Sequence, residues 1–119
     1  MQLVQIAGFL GADPKERTTA TGKRVVKLRV GVHTFKHNKD ETIWWSVNLW
    51  GDRWGDRFDK IINYFKKGSP VIAIGDMGKP ETYTTDDGCL HIRLSLTANI
   101  IKPSFIQTPV RPSFIQTSA

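Results

Sequence analysis

"TIWWSVNLWG", residues 42–51, holds three of the chain's four tryptophans: Trp44, Trp45 and Trp50. Read as a β-strand, the segment alternates its side chains between two faces. Ile43, Trp45, Val47 and Leu49 share one face, which is apolar throughout and reads as core or subunit contact. Trp44, Ser46, Asn48 and Trp50 share the other, where small polar residues separate two large rings. A face meant for burial does not carry Ser46 and Asn48 at its centre, because their polar groups would need partners there. The parity therefore predicts one side in the core and one side presenting aromatic rings to a ligand. Six residues at about 3.3 Å each set Trp44 and Trp50 roughly 20 Å apart. That gap is too wide to hold one small ring and suits a chain of bases, each on its own platform. Base stacking on an aromatic contributes about 1–3 kcal/mol per base and tolerates any sequence.

The preceding segment "KRVVKLRVGVHTF" (23–35) alternates in the same way. Val26, Leu28, Val30 and Val32 fall on one face; Val25, Lys27, Arg29, His33 and Phe35 fall on the other. Cations and a further ring are thereby placed beside the tryptophans. The polar "HNKDE" (37–41) reads as a loop, and "LVQIAGFLG" (3–11) as a strand closing on a glycine turn. Beyond the tryptophans the period changes. Phe58, Ile61, Ile62 and Phe65 stand at i, i+3, i+4 and i+7, predicting one helix of about three turns. Asp56 is its expected N-cap, and Lys66-Lys67-Gly68 its expected close. "PVIAIGDM" (70–77) reads as a buried strand, "TYTTDDGC" (82–89) as a short arm turning at Asp87-Gly88, and "LHIRLSLTANI" (90–100) as a final alternating strand.

Three strands, one helix and two strands make an all-β chain, and the order suggests a five-stranded OB-fold barrel with its helix between strands three and four, although order alone leaves other small barrels open. That domain is expected over residues 1–101. Residues 102–119, "KPSFIQTPVRPSFIQTSA", form a short basic tail expected to be extended, with a duplicated PSFIQT motif and prolines that disfavour helix or central sheet. A second small duplication gives "GDRW" then "GDRF" at 51–58.

The chain has 119 residues and a net charge of +6. Between 15 and 39, Lys15, Arg17, Lys23, Arg24, Lys27, Arg29, Lys36 and Lys39 face a single acid, Glu16, and no acid follows Asp87. Such a basic stripe is the footprint of a polyanion partner. No apolar run is long enough to span a membrane, and the N-terminus lacks the basic n-region and the cleavage site of a signal peptide. The lone Cys89 permits no internal disulfide and favours a reducing compartment. His33, His37, His91 and Cys89 make no credible zinc arrangement, since His33 and His37 straddle a strand end and a loop, so no metal site is expected. No glycine-rich phosphate loop follows a strand, and no serine or cysteine carries the surroundings of an activated nucleophile. A cofactor-free binding protein, not an enzyme, is the expectation. The rival is a structural oligomer whose tryptophans all lie in subunit contacts.

"LVQIAGFLGADPKERTTATGK", "ETIWWSVNLWGD", "YFKKGSPVIAIGD" and "TYTTDDG" together resemble the bacterial single-stranded DNA-binding protein family, in order over about residues 3–101. The resemblance implies an OB fold, a homotetramer, and single-stranded DNA wrapped over stacking aromatics. It implies work in replication, recombination and repair, in the cytoplasm on the nucleoid, with replication or repair proteins as partners. Carried over by position, Trp44 falls on a stacking tryptophan, Phe35 near another, and Tyr83 on a third in the arm. Trp50 matches a further stacking aromatic, and the duplication makes Trp54 an equal claimant. Lys67 matches a basic residue after the helix, and Trp45 a position of subunit contact. Lys23, Arg24, Lys27, Arg29, Lys36, Lys67 and Arg93 are the expected phosphate contacts. Stacking does not itself choose DNA over RNA, so a primosomal or RNA-binding OB protein is the alternative. The family's acidic tip has no counterpart in residues 102–119, and the four-residue duplication lengthens the link into the helix.

Overall fold

The alternating segments pair as one long antiparallel hairpin in the computed structural model, which describes residues 2–103. Strand β3 (Arg24–Lys36) lies against β4 (Lys39–Trp50) in continuous register from Val25↔Trp50 to Lys36↔Lys39. Only His37 and Asn38 turn the chain, with φ of 52° and 60°. These are the left-handed central residues of a primed hairpin turn, whose twist matches that of the strands. The expected loop over 37–41 is thus two residues long. Lys39, Asp40 and Glu41 enter the ladder because their backbone groups find partners across the hairpin.

The other strands are β1 (Leu3–Leu10), β2 (Lys15–Thr18), β5 (Pro70–Met77), β6 (Glu81–Thr84) and β7 (Leu90–Pro103). Pairings β1–β5, β5–β7, β7–β4, β4–β3 and β3–β1 close the five long strands into a ring, in which only β4–β7 is parallel. Closure uses a bulge between Ile74 and Gly75. A Cβ on Gly75 would collide with the carbonyl of Thr97, so the bend there requires glycine. The short β2 and β6 are additions to β3 and β7. β2 was not expected: all four of its residues are exposed, so backbone pairing forms it and no apolar period marks it.

Val26, Leu28 and Val30 of β3 and Val47 and Leu49 of β4 are buried inside the ring. Val71 and Ala73 of β5, and Leu96 and Ala98 of β7, complete its walls. Each large aliphatic removed from water in this way contributes roughly 1.5–3 kcal/mol. One end is closed by the helical segment between β4 and β5, which lies between the third and fourth long strands. Phe58 and Phe65 are buried there, and Ile61 and Ile62 pack against them, as the stripe predicts.

The helix itself differs from expectation. It is split into α1 (Gly51–Trp54) and α2 (Arg57–Tyr64), separated at Gly55, whose φ is 55°. Each GDR copy begins its own turn. Asp56 precedes α2 with helical angles and no capping hydrogen bond from its side chain. Phe65 is already extended, so Lys66, Lys67 and Gly68 belong to the turn into β5. β7 also carries Lys102 and Pro103, paired with Ile72 and Val71, so the sheet runs two residues past the expected boundary. The rest of the duplicated PSFIQT tail lies outside the described residues.

Candidate nucleic-acid interface

On β4 the tryptophan parity holds at the barrel. Val47 and Leu49 are buried, and Ser46, Asn48 and Trp50 occupy the outer side, half-buried. Ile43, on the inner side, is nonetheless exposed, because the β3–β4 hairpin projects beyond the point where β7 begins to pair at Trp45↔Leu94. Trp45 shares that inner side and packs partly buried against the core, between Val30 and Leu94 in register.

Register assembles the outer side row by row. Gly31 lies opposite Trp44, Arg29 opposite Ser46, Lys27 opposite Asn48, and Val25 opposite Trp50. Ser46 and Asn48 continue to Ser95 and Thr97 of β7. Trp44 is the most open of the three rings in this segment, at 42% exposure. It lies on a floor of two glycines. A Cβ at Gly11 would stand 2.6 Å from the ring, and one at Gly31 2.9 Å. The Arg29 guanidinium carbon is 4.7 Å from the ring centroid, within the range of a cation–π contact. Gly11 and Gly31 were not singled out from the sequence. The signal was available, since Gly31 interrupts the outer face of β3 directly between Arg29 and His33.

Asp13 fixes the rim beside this floor. Its carboxylate accepts the Lys67 backbone N–H at 2.8 Å, and the Gly68 N–H donates to the Leu10 carbonyl at 2.8 Å. The turn carrying Lys67 is thereby tied to the end of β1, next to Gly11. Phe35 is 63% exposed towards the hairpin tip, where Lys36 and Lys39 face each other across the ladder. Like charges directly opposite are unfavourable for the hairpin alone and favour an anion nearby.

The β6–β7 arm forms a second cluster. Tyr83 stacks on His91 with centroids 5.3 Å apart, and the Arg93 guanidinium lies 4.8 Å from the Tyr83 ring. Arg93 also reaches Glu81 at 3.5 Å. The turn is braced by Asp87, which accepts from the Thr85 hydroxyl and from the Cys89 N–H. The Thr85 hydrogen bond, helped by the Cys89 amide, holds the Asp87 carboxyl below its usual range.

Two expected site residues are elsewhere. Trp54 is buried at 6% exposure in the core cluster, so its ring offers no platform, and of the two claimants Trp50 alone lies on the sheet. Arg24 has the inner parity of Val26 and is committed to the fold. Its guanidinium holds Glu16 on β2 and Asp59 on α2, and lies 4.8 Å from the Phe58 ring centroid. The hydrogen bonds that Arg24 donates to Glu16 and then to Asp59 push its guanidinium further up, and the same bond from Arg24 holds the Glu16 carboxyl down. Lys23 lies in the β2–β3 turn beside Gly51 and Asp52, at the Trp50 end of the row.

Residues 1–104 match the family model described as the single-strand binding protein family. The chain is 44% identical over 102 residues to a single-stranded DNA-binding protein of Chlamydia pneumoniae, covering 86% of this chain and 61% of the relative. The protein of the same name from Chlamydia caviae is 44% identical over 102 residues, covering 86% and 60%. That of Chlamydia trachomatis serovar D is 43% identical over 97 residues, covering 82% and 59%. The chain thus spans about three-fifths of the length of these relatives.

Proposed function

Because the chain belongs to the single-strand binding protein family, we propose that it binds single-stranded DNA without sequence preference, on an OB-fold barrel. Bases stack on Trp44, Trp50, Phe35 and Tyr83. Phosphates are held by Lys27, Arg29, Lys36, Lys67 and Arg93. One observation carries the reading: an open Trp44 ring, seated on Gly11 and Gly31 with a guanidinium beside it. Such a ring gains nothing from its exposure in the free protein and gains about 1–3 kcal/mol from a base laid on it. The protein acts by binding, not catalysis, on DNA exposed during replication, recombination and repair in the cytoplasm.

Tryptophan fluorescence titrated with oligo-dT tests this. Stacking quenches the emission, and affinity falls with salt, with a log–log slope of about −0.7 per phosphate contact. A matched RNA oligomer separates the DNA reading from an RNA-binding one, and unchanged emission with either removes both.

The binding unit is a homo-oligomer, and the family resemblance puts its number at four. Support comes from an apolar outer surface on β1, β5 and β7. Leu3 and Ile100 are 64% and 42% exposed, Ile74 is half-buried in register with Ile100, and Phe9 and Ile72 are half-buried on the same strands. A second copy covering this face removes that surface from water. Trp45 is the further contact expected from its position. Light scattering that returns a monomer mass of 13.4 kDa sinks the oligomer. The tail is the proposed means of capturing replication or repair proteins.

A further inference from the structure

β2 is exposed along its whole length, yet it sorts its charges by face. Glu16 opposes Val26 on the inner side and is taken up by Arg24. Lys15 opposes Lys27, and Arg17 opposes Val25, on the outer side. Among the described residues none of these three cations has a carboxylate partner, in contrast to Arg24 and Arg93. Lys15, Arg17 and Lys27, with Val25 and Asn48, line an open depression of about 280 Å³. Its wall at Val25 is in register with Trp50, so the depression starts beside the last ring of the β4 row.

Lysines on an edge strand also guard against unwanted strand pairing. That explains a charge on β2. It does not explain Lys27, which sits on an interior strand directly opposite Lys15, an arrangement unfavourable without an anion between them. Nor does it explain the Asn48 amide, which adds a neutral hydrogen-bond donor on the other side of Lys27. Three cations and an amide around one hollow make a site for consecutive phosphates. We infer that a single strand leaving Trp50 crosses β2, its phosphodiesters held by Lys15, Arg17 and Lys27. This route rests on the single-strand reading above and gives it a direction across the barrel.

The test compares wild type with the Lys15→Ala/Arg17→Ala pair and the charge-keeping Lys15→Arg/Arg17→Lys pair, after thermal melting shows all three folded. Each is titrated with oligo-dT of about 30 nucleotides and with one of about 4, near the lower limit for a single fold. Two lost phosphate contacts make the salt slope shallower by about 1.4, so the alanine pair loses about sevenfold less affinity than wild type between 50 and 200 mM salt. The charge-keeping pair restores the wild-type slope, and the short oligomer distinguishes none of the three. A wild-type slope in the alanine pair, with binding still dependent on Trp44, overturns the route and leaves the single-strand reading intact. A wild-type protein that binds neither oligomer overturns both.

Discussion

Strand β3 places two arginines over two aromatic rings, with opposite consequences. Arg24 lies 4.8 Å from the centroid of Phe58, and Arg29 lies 4.7 Å from that of Trp44. The first ring is 2% exposed and its arginine is saturated by Glu16 and Asp59. The second is 42% exposed, and its arginine has no carboxylate among the described residues. A cation over an aromatic is therefore a lock where carboxylates and core complete it, and a binding surface where they are missing. The odd separation of 24 and 29 along the strand sends the two arginines to opposite faces.

Breaking the lock gives the largest effect. Phe58→Ala empties a buried site and should lower unfolding free energy by about 3–5 kcal/mol in a urea melt. Trp44→Ala should leave the melt nearly unchanged and weaken oligo-dT binding by about 1–3 kcal/mol, read by an intercalation-free method such as anisotropy. If Trp44→Ala destabilises the protein as much as Phe58→Ala does, the two rings are not different in kind and the proposed surface is lost. Gly31→Ala sharpens the comparison: its methyl pushes the Trp44 ring off its floor, costing about 1–3 kcal/mol in strain and reducing the fluorescence quench on binding. An unaltered quench would show that the ring's seat does not matter to stacking.

Acid should act on the lock and, in the β6–β7 turn, on Asp87. The Glu16 carboxyl is held down in the fold by its Arg24 hydrogen bond, so its stabilising effect is complete above its ordinary value of about 4.5. As pH falls below that, through the lowered folded value, the effect is lost. The melting temperature should drop there, and Arg24→Gln should flatten the drop. A drop of equal size in Arg24→Gln would assign it to other carboxylates. The smallest expected effect lies at the tail. Deleting residues 104–119 should change oligo-dT affinity by no more than about threefold, or 0.65 kcal/mol, because every proposed stacking ring precedes it. A larger loss would extend the binding surface beyond the barrel.

Much of this was legible in the chain. Alternation over 24–35 and 43–50 placed Val26, Leu28, Val47 and Leu49 inside and Trp44 and Trp50 outside, because strand parity depends on nothing remote. The stripe Phe58–Phe65 located the plug of the barrel, though not the break at Gly55. Arg24 shares the parity of Val26, which already points it inward, towards Glu16 and Asp59. The four-residue duplication makes Trp50 and Trp54 equivalent in sequence. One copy ends a strand and the other turns into the core.

The sequence by itself determined which residues alternate, where the period changes from strand to helix, and the excess of positive charge around β3. The tertiary structure decided which cations are spent and which rings are open. Asp59 reaches Arg24 across 35 residues, and Gly11 slides under Trp44 from the end of another strand. Both outcomes depend on distances closed only when β1 meets β3 and the helix seals the barrel. Local periodicity fixes a side chain's direction, and only closure of the ring fixes its neighbours.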